Sequence, residues 1–377
     1  MQRRILRPRP DWERIVEKQG LIYHHTQGDV YWNESACYAF SSREVDEIEA
    51  ATNELQRLSL EAGQHIIDRK RFAEFGIPDA AIDAIVWAWN EEPPAIYGRL
   101  DLAYDGLHPP KLLEYNADTP TALLEASVIQ WYWLKDTQPG ADQFNSIHER
   151  LVAKWRELKD YLTGRLYFIA VEDVQAEDLM TTTYLRDTAN EAGLDSAALL
   201  VKDIGWDADA RRFVDLDGAP MQSIFKLYPW EWLVHEEFGP HLLETYRDVQ
   251  WIEPIWKMLW SNKALLAVLW ELFPNHPNLL PAYLDGPRDL RRYVKKPKLA
   301  REGANVTLVG DTTVETRGDY GEEGFVWQAM ADVPVFDGNY VVVGSWLVDG
   351  VSCGMGLRES KGPVTDNLSR FVPHMFR

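Results

Sequence analysis

The stretch KLLEYNADTPTALLEASVIQWYW, residues 111–133, predicts a short strand, a turn and a helix, and it contains the first indication of chemistry. Glu114 and Asn116 are two positions apart on the predicted strand, so their side chains face the same side. The polar turn at 117–121 is typical of a helix N-terminus. We therefore expect two polar side chains on one strand face, directly before a helix that runs from Thr121 to Lys135.

The strand that precedes this stretch carries a second polar pair. Arg99 and Asp101 share a face there, and an Asp-Gly and a Pro-Pro dipeptide between the two strands predict the turn of a hairpin over 95–116. Pairing of the strands would bring Asp101, Glu114 and Asn116 together as oxygen ligands, with Arg99 beside them. Oxygen-only ligands favour Mg²⁺, and Mg²⁺ beside an arginine suits phosphate chemistry. The alternative is that these carboxylates are simply solvated, as most surface carboxylates are.

Composition limits the class of protein. With 377 residues, 46% of them apolar and 26% charged, the chain can bury a large core and is ordinary for a globular protein. The net charge of −20 argues against nucleic acid as a partner and favours a cationic one, although solubility alone would also explain it. Two cysteines, Cys37 and Cys353, make no disulfide framework, and the basic N-terminus lacks the apolar core of a secretory signal. No apolar run has the length of a membrane span, so we expect a cytoplasmic protein without a membrane partner.

The middle of the chain predicts a β-α-β unit. An apolar strand at 166–171, a helix at 176–192 and a strand at 197–202 follow one another. Glu172 and Asp173 lie at the carboxyl end of the first strand, where open α/β sheets place ligand-binding groups.

Two local signals set further elements. Ser41 and Glu44 form a capping-box pattern, which predicts a long helix from that point to about Asp68. Asp217-Gly218 predicts the turn of a hairpin over 211–227.

Two lysines occupy positions that suit anionic phosphates. Lys263 lies in the first turn of a predicted helix that Ser261 could cap, where a cation is unfavourable against the helix dipole, so it either extends to water or binds an anion. Lys296 ends a predicted strand at 293–296, shortly before a glycine-containing loop at 301–305. A lysine on a strand before such a loop recurs in nucleotide sites. The alternative is a solvated basic run.

Six motifs occur in one order over nearly the whole chain, from about residue 10 onward. They are GRLDLAYDG, LLEYNADTPT, WSNKALLAVLWELFPNHPNLLPAY, YVKKPKLAREGANV, FVWQAM and GLRES. Together they resemble the synthetase domain of the glutathionylspermidine synthase family. The resemblance implies an α+β, ATP-grasp-like and circularly permuted fold, with antiparallel and mixed sheets flanked by helices. In such a fold the metal ligands precede the nucleotide lysines in sequence, which is the order found here.

The chain resembles the short, synthetase-only members of this family. The amidase domain that precedes the synthetase in the two-domain members has no counterpart in it. The resemblance implies one synthetase domain over 1–377. Within it we expect the metal-ligand hairpin and helices in 1–160, an α/β substrate-binding part in 161–250, and the ATP-binding lysines and glycine loop in 251–377.

The resemblance also implies a role for each matching residue. On the ATP and Mg²⁺ side these are the metal ligands Asp101, Glu114 and Asn116, the phosphate-steadying Arg99, the phosphate-binding Lys263 and Lys296, the catalytic-loop Arg301 over the γ-phosphate, and Gln328 in the adenine-binding hinge. On the substrate side these are Arg358 against the acid, Thr119 and Thr121 where the family carries serines near glutathione, and Glu172 and Asp173 as acids on the amine or glutathione side. Each threonine keeps a hydroxyl but adds a methyl group, which leaves the identity of the acid open.

The function that the resemblance implies is an ATP- and Mg²⁺-dependent carboxylate–amine ligase. ATP would convert the carboxylate into an acyl phosphate, and an amine would then displace the phosphate. We expect the loops at 301–306 and 317–324 to close over ATP and exclude water. Glutathione with spermidine is one substrate pair, and a peptide or another amino acid could replace either partner. A catalytically silent ATP-binding regulatory module and a phosphotransferase are the alternatives, and the oligomeric state is open.

Overall fold

The protein contains helices together with parallel and antiparallel sheets. The computed structural model describes residues 1–172 and 176–377. The helices are α1 (Trp12–Lys18), α2 (Ser42–Arg69), α3 (Asp79–Glu91), α4 (Gln130–Thr137), α5 (Ile147–Leu158), α6 (Glu177–Glu191), α7 (Trp230–Leu233), α8 (Gly239–Glu244) and α9 (Ala264–Leu272). Shorter 3₁₀ turns lie at Arg71–Phe75, Val201–Asp203 and Ile255–Met258, and a π-helical turn lies at Glu125–Ile129.

The strands range from two to ten residues in length. They are β1 (Gln2–Ile5), β2 (His25–Thr26), β3 (Asp29–Val30), β4 (Ala36–Phe40), β5 (Tyr97–Ala103), β6 (Lys111–Asn116), β7 (Leu166–Ala170), β8 (Ser196–Leu200), β9 (Gly205–Asp207), β10 (Arg212–Val214), β11 (Ser223–Leu227), β12 (Gln250–Ile252), β13 (Ala282–Tyr283), β14 (Tyr293–Pro297), β15 (Thr307–Val309), β16 (Thr313–Glu315), β17 (Phe325–Ala329), β18 (Val335–Phe336), β19 (Asn339–Val348), β20 (Val351–Ser360), β21 (Arg370–Val372) and β22 (His374–Phe376). The result is a mixed α/β fold.

The predicted hairpin forms, and it is built into a larger antiparallel sheet. Strands β5 and β6 pair antiparallel, and the sheet continues in the order β21-β20-β19-β5-β6, with β18 beside β19. Strand β19 comes from the C-terminal part of the chain and pairs along the outer side of β5. Its Gly344 lies opposite Asp101, and a Cβ atom there would come within 2.9 Å of the Arg99 Cδ atom. The absence of a side chain at this position therefore makes room for Arg99.

A second antiparallel sheet carries the predicted lysine strand. Its order is β13-β17-β14-β15-β16, and β14 contains Lys296. Strand β17 pairs with β14 so that Gln328 lies opposite Val294. The loop at 301–305, which follows β14, leads into β15 and so lies at the end of this sheet.

The predicted β-α-β unit is confirmed, and the predicted hairpin over 211–227 forms only in part. Strands β7 and β8 pair in parallel with α6 between them, in a sheet of order β12-β11-β7-β8. The turn at Asp217-Gly218 does reverse the chain, because Val214 and Pro220 form an antiparallel bridge and the Met221 N–H donates to the Phe213 carbonyl. Strand β11 does not extend this pairing, since it lies parallel to both β7 and β12, while β10 pairs with β9. All five residues of β11, Ser223–Leu227, are buried, which is the pattern of a parallel strand covered on both faces.

The start of α2 confirms the capping box, whereas the start of α9 differs from expectation. The Ser41 side chain accepts a hydrogen bond from the Glu44 N–H, and the Glu44 side chain accepts one from the Ser41 N–H. At α9 it is the side-chain oxygen of Asn262 that accepts the Ala264 N–H, at 2.9 Å. The Ser261 hydroxyl instead accepts the N–H of Asp118 at 2.8 Å, across from the hairpin. Within the described ranges, no helix combines the length and the apolar character of a bilayer-crossing segment.

Candidate active site

The face of the hairpin that points away from the hydrophobic core holds the four residues that the sequence singled out. The register of β5 and β6 pairs Asp101 with Glu114 and Arg99 with Asn116. The Asn116 amide donates to the Asp101 Oδ2 atom at 3.3 Å and to the Glu114 Oε1 atom at 3.2 Å. The three side chains expected to hold a metal ion therefore converge on one point.

Two guanidinium groups donate hydrogen bonds to the carboxylate of Asp101. Arg99 donates from Nε to Asp101 Oδ1 at 2.6 Å and from Nη2 to Oδ2 at 3.1 Å, and its Nη1 donates to the Thr121 carbonyl at 2.7 Å. Arg358, on β20, donates from Nη2 to Asp101 Oδ2 at 2.7 Å. Arg99 also lies over the Trp346 ring, with 5.6 Å between its Cζ atom and the ring centroid. This packing fixes two positive charges beside the carboxylates, where an anionic group can dock.

The chemistry of these side chains suits Mg²⁺. Within the described ranges, no group of three or more His, Cys, Asp or Glu side chains is arranged to hold a metal ion. A metal at the hairpin would therefore depend on two carboxylates, Asp101 and Glu114, and on the amide of Asn116. Mg²⁺ is commonly held in this way, by one or two carboxylates together with water and substrate phosphate oxygens.

The two lysines lie next to this group. Lys263, just before α9, has its Nζ atom 3.1 Å from Glu114 Oε2, and it donates to the Ala300 carbonyl at 2.9 Å. Burial alone would raise the pKa of Glu114, but the charges of Lys263 and Lys296 outweigh burial and hold that pKa below its usual value. Burial lowers the pKa of Lys296 to about 8, and the charge of Glu114 opposes that shift. The site thus alternates negative and positive groups that nucleotide phosphates and a metal could share.

Gln328 joins the lysine sheet to the hairpin. Lys296 donates from Nζ to the Gln328 Oε1 atom at 2.7 Å and to the Leu113 carbonyl at 2.9 Å. The Gln328 amide in turn donates to the Leu112 carbonyl at 2.9 Å. Both side chains therefore hold β6 against the second sheet, and the cavity between the two sheets is bounded by this contact.

The loop that begins at Arg301 extends back over the turn at 117–121, which follows β6. Arg301 donates to the Thr119 hydroxyl, and its guanidinium lies 5.1 Å from the centroid of the Trp232 ring. Gly303 has a φ of +66°, and a Cβ atom there would lie 2.6 Å from the Thr365 carbonyl oxygen. Only glycine fits this left-handed position against a neighbouring backbone. Thr121, whose carbonyl accepts from Arg99, lies on the same turn as Thr119.

The acids expected on the substrate side are placed differently from one another. Glu172 is exposed and pairs with Lys202 at 2.9 Å, away from the residues that line the cavity, and Asp173 lies outside the described residues. A second Glu-Asp pair, Glu177 and Asp178, begins α6 and lines the cavity. This pair lies outside the six motifs, although acidic residues in a first helical turn are a recognisable signal.

Other residues that line the cavity also lie outside the six motifs. Tyr23 and Tyr31 come from the N-terminal segment, with ring centroids 4.8 Å apart, and Glu231 comes from α7. Burial raises the pKa of Glu231, and the charge of Arg301 opposes this. No local pattern marks these three side chains, because distant parts of the chain bring them to the site.

All of these groups face one cavity of about 940 Å³. Its lining includes each expected residue except Glu172, with Asp173 not described: Arg99, Asp101, Glu114, Asn116, Thr119, Thr121, Lys263, Lys296, Arg301, Gln328 and Arg358. The volume is within the range of small-molecule and cofactor sites. One space therefore combines oxygen ligands, lysines, arginines and carboxylates.

Known proteins are similar to this chain in sequence and in fold. Residues 3–377 match the family described as glutathionylspermidine synthase preATP-grasp. A Haemophilus influenzae protein that carries the provisional name acid–amine ligase is 42% identical over 98% of this chain and 97% of its own length. The trypanothione synthetase of Crithidia fasciculata is 28% identical over 82% of this chain, which corresponds to 51% of that protein. The chain thus spans about half the length of that relative.

A solved structure extends the likeness to the fold. The glutathione synthetase-like effector of Globodera pallida, solved without ligand, superposes with a TM-score of 0.56 at 10% identity and covers 98% of each chain. At this identity the likeness concerns the fold alone. The family match over residues 3–377, with a relative of 42% identity along nearly its whole length, shows that the chain belongs to the glutathionylspermidine synthase preATP-grasp family.

Proposed function

We propose that the chain is an ATP- and Mg²⁺-dependent ligase that joins a carboxylate to an amine through an acyl phosphate, on a circularly permuted ATP-grasp fold. The relatives named above are a ligase and a synthetase. The observation that carries the proposal is the convergence of Asp101, Glu114 and Asn116 with Lys263 and Lys296 on one wall of the cavity. Carboxylate ligands facing two lysines are suited to a metal-bound nucleotide.

ATP would lie between the hairpin and the lysine sheet. Lys263 and Lys296 would bind its phosphates, and the segment that contains Gln328 would border the adenine. Asp101, Glu114 and Asn116 would hold Mg²⁺, which when bound neutralises phosphate charge and orients the transferring group. Each of three regions would then supply one part of the site: the metal-binding hairpin would come from 1–160, the substrate-binding part from 161–250 and the ATP-binding part from 251–377.

Arg99 and Arg358 would bind and orient the acid substrate. Arg99 and Arg358 already lie on opposite sides of Asp101 and are held there by hydrogen bonds of 2.6 to 3.1 Å. A substrate carboxylate that binds beside these two guanidinium groups would be oriented for attack on the γ-phosphate, and charge developing on the transferred group would meet fixed positive charge. Arg301 would leave Thr119 to contact the γ-phosphate when the loop at 301–306 closes.

Glu177 and Asp178 support a cationic amine at the part of the cavity that the start of α6 lines. Burial raises the pKa of Glu177, while the charges of Arg358 and Arg99 oppose that rise. A polyamine would bring ammonium groups to these carboxylates and to the faces of Tyr23 and Tyr31. The family is named after glutathionylspermidine, so glutathione and spermidine are the first substrate pair to test.

ADP release from ATP and Mg²⁺ tests this function, with glutathione alone, spermidine alone, and both together. We expect release that needs both substrates and a condensed product by mass spectrometry. Glu114→Ala and Arg301→Ala should each lower the rate by about 100-fold, the usual cost of removing one group that stabilises transition-state charge. Glu191→Ala is the matched control, because that carboxylate is exposed on α6 and pairs with His148.

Three outcomes would contradict parts of the proposal. Failure to bind ATP would overturn the nucleotide site and the ligase with it. Release of ADP with the acid alone, together with a stable phosphorylated product, would identify a phosphotransferase. ATP binding without turnover would reject this substrate pair and direct the search to other acids and amines.

A further inference from the structure

Glu125 is a buried carboxyl group directly behind the cavity wall. It begins the π-helical turn Glu125–Ile129, shortly after the turn at 117–121, and it is 2% exposed. The metal and phosphate site does not involve this residue. Its Oε1 atom accepts the hydroxyl of Tyr31 at 2.7 Å.

Tyr31 connects that carboxyl group to the cavity. The ring lines the cavity, although the residue is only 5% exposed, and it lies beside the Tyr23 ring. A phenolic oxygen can donate one hydrogen bond and accept another. Tyr31 can therefore donate to Glu125 while its oxygen accepts a proton from a group in the cavity.

The charges around this pair determine its protonation. Burial and then the charge of Glu177, on α6, raise the pKa of Glu125 to about 7, while the Tyr31 hydrogen bond and the charge of Arg99, on β5, oppose the rise. Burial and then the charge of Glu125 raise the pKa of Tyr31, and the charge of Arg358, on β20, opposes this. Glu125 is thus near half-protonated at neutral pH, whereas the Tyr31 phenol keeps its proton. An acceptor works best when its pKa lies near the working pH.

Resting on the ligase function proposed above, we propose that Tyr31 and Glu125 form a relay that accepts a proton from the attacking amine. The ammonium nitrogen gives one proton to the Tyr31 oxygen, and the original phenolic proton passes to the Glu125 carboxylate. The nitrogen lone pair then forms the bond to the acyl carbon, and the carbon–oxygen bond to phosphate breaks. The second nitrogen proton leaves with the phosphate, and Glu125 later returns its proton to solvent through Tyr31.

The relay explains why a carboxyl group is buried at this point. A buried carboxylate costs free energy unless it is hydrogen-bonded, and Glu177 nearby adds repulsion. Glu177 lines the amine end of the cavity, so an ammonium group that pairs with Glu177 stands next to Tyr31. Arrival of that cation also weakens the repulsion on Glu125 and favours its ionised, proton-accepting form.

Two nucleophiles of different basicity separate this role from a structural one. Spermidine is fully protonated near pH 7 and must lose a proton before it attacks, whereas hydroxylamine is largely unprotonated and needs no base. We expect Glu125→Gln and Tyr31→Phe to lower kcat with spermidine by about 100-fold, with ATP, Mg²⁺ and glutathione present. Hydroxamate formation from hydroxylamine should stay within a few-fold of wild type. Glu191→Gln, an exposed carboxylate on the same helix as Glu177, serves as the control.

The pH profile gives a second readout. With spermidine, the wild-type kcat should rise with pH at values below about 7, because the bound cation favours ionised Glu125, and this limb should disappear in both variants. Equal losses with both nucleophiles, or an unchanged pH limb in the variants, would overturn the relay. Absence of both amide and hydroxamate with the wild-type protein would overturn the ligase function before any variant is compared.

Discussion

Replacing Asp118 by asparagine should destabilise the protein, because it removes the charge that balances a fully buried lysine. The Lys226 ammonium forms an ion pair with Asp118, and the two side chains are 0% and 3% exposed. Asp118 also accepts the backbone N–H of Trp230 at 3.0 Å, and its own N–H donates to Ser261. The pair therefore ties the turn at 117–121 to β11 and to α7.

The cost follows from what the substitution leaves behind. Removing one member of a buried ion pair usually costs about 3–5 kcal/mol, because the remaining charge is uncompensated. The asparagine side chain would keep an oxygen acceptor and the shape of the aspartate, so we expect a loss at the lower end, about 3 kcal/mol. The Trp230 ring, with its centroid 4.8 Å from the Lys226 Nζ atom, would compensate for only part of the lost charge.

The pH dependence provides a signature of this mechanism. Burial lowers the pKa of Lys226, and the charge of Asp118 offsets part of that shift. Without Asp118 the pKa of Lys226 in the folded protein falls further below its value in the unfolded chain. The destabilisation is therefore present at neutral pH and decreases as the pH rises through the folded pKa, where the lysine becomes neutral.

Urea unfolding of four proteins measures the effect: wild type, Asp118→Asn, Lys226→Met and the double variant. The double variant should recover most of the stability, because an uncharged pair of similar volume needs no charge compensation. A loss below about 1 kcal/mol in Asp118→Asn, or a loss that does not change between pH 7 and pH 9.5, would refute the reasoning.

Three further predictions concern the site and its support. Burial lowers the pKa of Lys296 to about 8, so its charge is lost above that pH, and the Kd for ATP should rise there by up to about tenfold per pH unit. In calorimetric titrations, Lys296→Arg should give a Kd that does not change with pH. A wild-type Kd that stays constant to pH 9.5 would contradict this prediction. Gly344→Ala should displace Arg99, whose Cδ atom is 2.9 Å from the added Cβ position, and lower kcat by at least about tenfold with little change in ATP affinity. Gly362→Ala is the control, because an added Cβ atom there meets open space, and equal effects of the two substitutions would count against this prediction. Burial lowers the pKa of His374 to about 3, so the free energy of unfolding should fall by about 1.4 kcal/mol for each pH unit below 6.5. Urea unfolding at pH 5.5 and 4.5 should show that this free energy depends less steeply on pH in His374→Asn. An identical pH dependence in both proteins would be inconsistent with an effect of His374.

The hairpin of β5 and β6 is the part of the candidate site that the sequence defines best. Asp101 and Glu114 belong to strands joined by a short turn, and a strand alternates its side chains with a period of two. The spacing therefore puts Arg99, Asp101, Glu114 and Asn116 on one face without reference to the rest of the chain. The same holds for the start of α2, where Ser41 and Glu44 cap each other across three residues. Contacts of this kind depend on local geometry, so a sequence can be read for them directly.

Long-range pairing decided the remaining features. Strand β19 inserts beside β5 and brings Arg358, on the adjoining β20, to Asp101, across more than half the chain. The predicted hairpin over 211–227 forms only around its turn, because burial on both faces draws β11 between β7 and β12. A turn signal acts over a few residues, whereas the choice of strand partner depends on which apolar surfaces are covered in the whole fold.

By itself the sequence determined the family, the polar side chains that share one face of the hairpin and the two lysines, because motifs and strand periodicity are local properties. Only the tertiary structure decided that Glu177 and Asp178, rather than Glu172, line the cavity, since a strand end and a helix start five residues apart can point to different spaces. It also decided that Tyr31 meets Glu125, because burial brings together groups that no local spacing relates.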